Sequence, residues 1–336
     1  MFAGVKKSIS LNSPKISIVT PSFNQGQFIE QTILSVINQG YPNLEYIIID
    51  GGSTDNTLDV IKKYADRITY WISEPDNGQS DALNKGLEKC TGDIFNWINS
   101  DDYLETGALL IIADAFNNVN TDIVCGYTSI FEDTVEKEVV KHRTTVYGCL
   151  EATLVQQRIS QPAMFYRLSV LKNLGGINTN LHYIMDLELW FRYLCSNGQD
   201  KMIFKDDLFA HFRIHGASKT GAYEERFREE EKAIWFYLLS ILNANKIWVL
   251  FFKTANEYKP LKAWDNNLLN YQQLEIELSQ RYLFAIIKSG NKLLGRLSFN
   301  TLFKSGRLSV NVQNIALFVK LFIGNIPFRK YFNNHA

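Results

Sequence analysis

The sequence has no G-x-G-x-x-G turn and no Walker loop, so the glycine-rich phosphate cradles of dinucleotide oxidoreductases and P-loop NTPases are excluded. It carries no net charge, with 35 Lys and Arg against 35 Asp and Glu, and no nucleic-acid partner is expected. There are 4 cysteines among 336 residues and no C-x-x-C pair. Such spacing fits free thiols in a reducing compartment, neither disulfide staples nor zinc ligands. The stretch MFAGVKKSIS lacks an apolar core of signal-peptide length, so export is not expected. The most apolar late segment, Leu308–Phe328, is interrupted by Asn311, Gln313, Asn314, Lys320 and Asn325, too often to span a bilayer. No internal repeat or low-complexity tract appears.

What is present is an ordinary globular composition with an uneven charge distribution. Apolar residues make up 46% and charged residues 21%, and the length suits one large α/β domain with a smaller appendage. Residues 240–336 hold 13 Lys and Arg against 4 Asp and Glu, and from Arg281 onward there is no acid at all. A basic tail of this kind points toward an anionic surface.

The chain is organised around IFNWINSDDY, residues 94–103. An apolar, aromatic-rich run of strand length predicts a parallel strand covered on both faces. It ends in adjacent carboxylates, Asp101 and Asp102, at the carboxyl edge where open α/β sheets bind ligands. Two close carboxylates repel, and a hard divalent cation relieves that repulsion while leaving positions for phosphate oxygens. The plainer reading is that one of them caps the helix beginning near Thr106.

The rest of the first half alternates strand and helix. Strands are predicted at Lys15–Thr20, Leu44–Ile49, Ile68–Ser73 and Asp122–Tyr127, with helices at Phe28–Asn38, Thr57–Tyr64, Gln79–Lys89 and Gly107–Phe116. This alternation implies right-handed βαβ crossovers and a mainly parallel sheet. TPSFNQG, DGGSTD, EPDNGQSDALNKG and the Ser100–Asp102 turn therefore meet on one edge. An acidic edge accepts a diphosphate only through a metal, which points to a nucleotide ligand.

KISIVTPSFNQGQFIEQTILSVINQGYPNLEYIIIDGGSTDNT, EPDNGQSDALNKG and GDIFNWINSDD together resemble the family 2 glycosyltransferases, over roughly Lys15 to His215. The resemblance implies a GT-A fold: residues 1–14 as a tail, a catalytic domain over 15–220 and a helical, basic extension over 221–336. Within the catalytic domain, 15–130 would bind the nucleotide-sugar and 131–220 the acceptor. It implies inverting transfer of a hexosyl group from a nucleotide-diphosphate donor, expected to be a UDP-sugar, with Mn²⁺ or Mg²⁺ as cofactor. The nucleotide-sugar contacts implied are Thr20, Pro21, Ser22, Asn24, Asp50, Gly78, Asp81, Asn84, Lys85, Ser100 and Asp101. Asp102 would be the direct metal ligand, Asp101 the sugar or ribose contact, and Asp50 the acceptor for a uracil or thymine ring N–H. Members of the family often carry two acids where this chain has Asp50-Gly51.

In the second half, Gln161–Arg167 reads as a strand, Leu168–Leu174 as a short helix, and LHYIMDLELWFRY as a helix opened by Asp186. An acid there caps a helix, yet an inverting transfer needs a carboxylate to take the acceptor hydroxyl's proton. The family places its base in an E-D or M-D pair at this point, which Met185-Asp186 matches. Glu188, half a turn further round, is the competing acid. Alternation along Ala210–Ser218 puts His211, Arg213 and His215 on one face; His215 matches a metal or diphosphate position, while His211 reads as part of a solvated edge. In the tail, apolar residues mixed with Lys and Arg, as in YLFAIIKSGNKLLGRLSF, fit a helix on an anionic membrane or a helical cap. The expected protein is cytoplasmic, peripheral on the inner face of the membrane, and acts on a glycan or lipid-linked glycan in surface polysaccharide assembly. The alternative is a non-catalytic nucleotide-sugar-binding scaffold of the same fold.

Overall fold

A computed structural model describes residues 13–132, 137–216 and 223–308, with residues 314, 317, 321 and 322 beyond them. The first twelve residues, Ser218 and most of the Leu308–Phe328 run lie outside the described residues. The chain divides into two compact units. One comprises Met1–Thr145, Arg158–Glu231 and Tyr258–Asp265; the other comprises Val146–Gln157, Lys232–Glu257 and Asn266–Ala336.

The first unit is built on a curled sheet. Strands β1 (Ile16–Ser22), β2 (Leu44–Asp50), β3 (Tyr70–Ser73) and β4 (Ile94–Trp97) lie in the order β3-β2-β1-β4, all pairs parallel. Every residue of β1 is buried, as a β-branched run in the middle of a parallel sheet must be. Helices α1 (Ile29–Ile37), α2 (Thr57–Lys63) and α3 (Gln79–Lys89) make the crossovers. Their apolar stripes, such as Ile29, Ile33 and Val36 of α1, pack with Ile16, Ile18 and Ile48. Pro21 lies beyond the last β1–β4 pair, Val19 with Trp97, where its missing N–H breaks no ladder on that side.

Beyond β4 the sheet becomes mixed. Strand β5 (Tyr103–Leu104) and helix α4 (Ala108–Ala115) follow it, then β6 (Ile123–Glu132) and β7 (Lys137–Arg143). The strand read as closing the parallel series does not pair with β4. Between them lies β8 (Met164–Arg167), from the second half, antiparallel to both β4 and β6. Helices α6 (Leu168–Leu174) and α7 (Met185–Asn197) come next, then the long β9 (Met202–Ile214). Strand β9 runs parallel to β6 and antiparallel to β5. Because Tyr103 pairs with His211, β9 delivers Arg213 and His215 to the Asp101-Asp102 turn.

The second unit is helical: α5 (Leu150–Gln156), the later part of α8 (Glu224–Ile241), α9 (Lys246–Phe251), α10 (Tyr271–Lys288) and α11 (Lys292–Lys304). Asn245, Asn270 and Asn291 cap α9, α10 and α11, each side chain accepting a first-turn N–H that would otherwise be orphaned. Trp235, Trp248, Phe252 and Tyr282 meet as stacked or edge-on pairs at its centre. The YLFAIIKSGNKLLGRLSF segment is therefore two helices, not one. Among the described residues no helix is long and apolar enough to cross a membrane.

Candidate active site

A cavity of about 850 Å³ opens in the first unit, where the loops after β1, β2, β3 and β4 meet the loop leading into α7. Of the residues expected to contact a nucleotide-sugar, Pro21, Ser22, Gly78, Ser100 and Asp101 line it, as does Asp186, expected as the base. The others hold the walls in place. Thr20 is buried, its hydroxyl 3.1 Å from Tyr46 Oη. Asn24 adopts a left-handed φ of 51° and accepts the Thr54 N–H at 2.9 Å, tying the first loop to the second. Asp81 accepts the Asn77 N–H, Asn84 brackets the Ile177 backbone with two bonds, and Lys85 pairs with Glu74 at 2.9 Å.

Asp50, expected to meet the base, does not reach the cavity. It is fully buried, and its Oδ2 accepts from Gly52 N, Ser53 N and Ser73 Oγ while Oδ1 accepts from Ser53 Oγ. A buried carboxylate must be satisfied in this way, and the result anchors the DGGS turn. Asp76, from the turn after β3, lines the cavity instead, beside Gly51.

At the end of β4 the two carboxylates separate. Asp102 is 1% exposed, with Oδ1 accepting the Arg213 N–H at 3.0 Å and Oδ2 accepting the Asn99 amide at 3.1 Å. Burial, and after it the neighbouring Asp101 charge, push its carboxyl well above the usual range. Asp102 thus faces inward and braces the turn; it is not the carboxylate presented to the cavity. Asp101 is, and its Oδ2 lies 3.0 Å from His215 Nε2. The His215 ring rests on Phe28 at 4.6 Å. Arg213 also donates from Nε to Asp101 O, and its guanidinium lies over the Phe28 and Phe131 rings. His211 sits on no solvated edge: it stacks on Tyr103 at 4.3 Å and reaches Glu105 at 2.8 Å.

The acids of α7 divide in the same way. Glu188 is buried in a bidentate pair with Arg192, both contacts 2.7 Å, and also accepts from Tyr258 Oη. Arg192 donates to the Leu174 and Gly176 carbonyls, so this pair pins the turn after α6. Asp186 lines the cavity, accepts the Leu187 N–H at 2.9 Å and has no cationic partner among the described residues. Burial pushes its carboxyl up to about 6. The loop before it is held by Glu230 of α8, which accepts the N–H groups of His182, Tyr183 and Ile184 at 2.9–3.1 Å.

The sequence reading missed several groups. Asp76 and Gln79 lie within the quoted EPDNGQ segment; Gln79 donates to Asn99 Oδ1 at 2.7 Å, and their position just before a helix on the binding edge was the available signal. Gln161, with bonds to Asn96 and Trp97, lines the same cavity. Glu230 had no signal, being 46 residues from the backbone it holds.

The family described as "Glycosyl transferase family 2" matches residues 17–175. The chain carries a family 2 glycosyltransferase domain. An uncharacterized glycosyltransferase of Rickettsia typhi is 26% identical over 70% of this chain and 74% of its own length. A GalNAc(5)-diNAcBac-PP-undecaprenol beta-1,3-glucosyltransferase of Campylobacter jejuni is 32% identical over 37% of this chain and 40% of its own. S. aureus TarS 1–349, solved with UDP, superposes on 91% of this chain and 78% of its own with a TM-score of 0.57 at 16% identity; the chain spans about half, 48%, of a longer TarS chain. At such identity the likeness speaks for the fold, and the glycosyltransferase domain has the expected GT-A architecture.

Proposed function

We propose that the domain transfers a hexosyl group from a UDP-sugar to a hydroxyl of a glycan or lipid-linked glycan, with inversion, in surface polysaccharide assembly. The observation that carries the reading is one cavity lined by both Asp101 and Asp186. A transferase needs two carboxylates of opposite duty there, one at the diphosphate and one at the attacking hydroxyl. Asp186 is the general base: its raised pKa brings it near the operating pH, where a base is most effective, and no cation among the described residues neutralises it. Glu188 is committed to Arg192 and cannot serve.

Asp101 and His215 fit a divalent cation, because a carboxylate and an imidazole converging at 3.0 Å form a donor set that Mn²⁺ accepts. Among the described residues no three His, Cys, Asp or Glu side chains are arranged to hold a metal, so the remaining positions would fall to phosphate oxygens and water. Held by Asp101 and His215, Mn²⁺ or Mg²⁺ would supply positive charge for a leaving diphosphate. Asp102 keeps the turn in shape through Arg213 and Asn99. Tyr183, Phe212 and Phe227 also line the cavity and offer aromatic faces against which an acceptor sugar ring can lie.

The second unit is the part we assign to an anionic membrane surface. Leu250, Phe284, Leu293 and Phe303 are exposed there among Lys253, Lys288, Lys292 and Lys304, and each basic side chain near such a surface adds about 1 kcal/mol. Flotation with anionic liposomes tests this: salt-sensitive binding is expected, and equal flotation with neutral vesicles overturns it. The transferase reading is tested by screening nucleotide-sugars with and without Mn²⁺ and reading the product's anomeric configuration by NMR. Retention of configuration, or no turnover with any donor, removes it.

A further inference from the structure

We propose that Asp76 reads the nucleobase of the donor, taking the ring N–H of a uracil on its Oδ2; the proposal rests on the reading of this cavity as a nucleotide-sugar site. The end of β2 cannot perform that task. The buried Asp50 accepts three hydrogen bonds from its own turn and a fourth from Ser73 of β3, and the next residue, Gly51, has no side chain. A Cβ built on Gly51 would come 2.6 Å from Asp76 Oδ2 and 3.0 Å from its carboxyl carbon. The Asp76 carboxylate therefore fills the volume that an acid at position 51 would occupy. An acid on the neighbouring loop stands where the β2 end lacks one.

The carboxylate is held for this use. Its Oδ1 accepts the Gly78 N–H at 2.8 Å, and Gly78 makes the turn with a φ of 101° that other residues rarely adopt. Oδ2 accepts no hydrogen bond from the described residues, and Asp76 lines the cavity. A second group beside Gly51 is also incomplete. Ser22 lines the same cavity and its buried Oγ has no hydrogen-bond partner among the described residues, while its carbonyl accepts the Gly51 N–H at 2.8 Å. Buried hydroxyls are seldom left unsatisfied, so Ser22 and Asp76 together present a donor and an acceptor to one planar edge.

That pair selects among bases. A carboxylate oxygen only accepts, so it suits the ring N–H of uracil and repels the bare ring nitrogen that cytosine presents at the same position. Guanine offers two adjacent donors and calls for a carboxylate that faces it with both oxygens, whereas Asp76 turns Oδ1 to the Gly78 N–H. The Ser22 hydroxyl can donate to the neighbouring carbonyl of uracil. A site built around one such donor discriminates strongly against a base lacking it, because its own buried polar group is then left unpaired.

The test is calorimetry of the full chain with UDP, CDP and GDP in the presence of Mn²⁺. The wild type is expected to prefer UDP over CDP by about tenfold or more, the worth of one well-placed hydrogen bond to a charged group. Asp76→Asn should bring that ratio close to one, and Asp76→Ala should weaken UDP by about tenfold. The double variant Gly51→Asp with Asp76→Ala should recover most of the UDP preference. Gly51 has no left-handed φ to strain the new residue, and the carboxylate returns to the same volume from the other loop. Unchanged UDP affinity and selectivity in both Asp76 variants overturns the assignment, as does a wild type that prefers GDP. A wild type that binds none of the three overturns the reading of the cavity itself.

Discussion

The end of β4 and the start of α7 each carry two acids, and in both places one is consumed by the fold while the other faces the cavity. At β4 the buried one is Asp102 and the presented one Asp101. At α7 the buried one is Glu188 and the presented one Asp186. The two regions differ in what satisfies the buried partner. Asp102 is held by a backbone N–H and an amide, neutral donors that fix a turn. Glu188 is held by a guanidinium, a full counter-charge that fixes two helices' ends. Residue type and spacing do not assign a role to an acid; the donors around it do. The comparison also ranks the damage that each substitution should cause.

The largest effects should fall on α7, and they should be opposite in kind. Asp186→Asn is expected to lower kcat by about 10²–10⁴-fold with donor affinity unchanged, the pattern of an interaction needed only in the transition state. Folding should not suffer. The carboxyl is raised to about 6 by burial, so the folded state favours its protonated form, and the wild type loses that contribution as pH rises toward 6. Above pH 6 the Asn variant should therefore melt no lower than the wild type. Glu188→Gln should do the reverse, leaving Arg192 buried without its charge partner at a cost of roughly 3–5 kcal/mol. Thermal melts and single-turnover rates on both variants separate the cases. A stable, inactive Glu188→Gln would invert the assignment.

A smaller contrast is expected at β4. Asp101→Ala should abolish the Mn²⁺ dependence of UDP binding, with little loss of stability. Asp102→Ala strands the Arg213 N–H and should cost about 1–3 kcal/mol in folding, with Mn²⁺-dependent binding weakened through the displaced turn by roughly 10–100-fold. Titration calorimetry with and without Mn²⁺ decides it. If Asp102→Ala alone removes the metal dependence, the two carboxylates have been assigned in the wrong order.

The parallel half of the sheet was legible because its signals are local: β-branched runs, helical stripes and turn residues specify β1 to β4 and their crossovers within a residue or two. The insertion of β8 between β4 and β6 was not, since antiparallel pairing of residues as distant as Ile94 and Arg167, or Ile123 and Tyr166, leaves no periodic mark. The cavity's carboxylates were legible as a set. Which member of each pair faces inward was not, because that depends on distant donors such as Arg213 for Asp102 and Tyr258 for Glu188. Asp50 shows the same limit: its place at a strand end is plain, but the bonds it accepts from its turn and from Ser73 of β3 appear only in three dimensions.

The smallest expected effect belongs to Glu230, which touches no substrate and acts through Asp186. With Asp186 as base, kcat/KM should rise with pH through about 6 and level above it, since only the ionised carboxylate accepts a proton. Glu230 contributes to that value as a nearby like charge, which disfavours ionisation of Asp186. It also gathers the His182, Tyr183 and Ile184 N–H groups. Glu230→Gln keeps one acceptor oxygen and removes the charge, so the loop should stay near its place while the acid limb moves to lower pH. The shift should be a fraction of a unit, because burial, not Glu230, is the main cause of the raised value. Glu230→Ala removes the acceptors as well and should lower kcat without moving the limb further. A limb that moves to higher pH in Glu230→Gln, or does not move in either variant, would show that the group titrating near 6 is not Asp186.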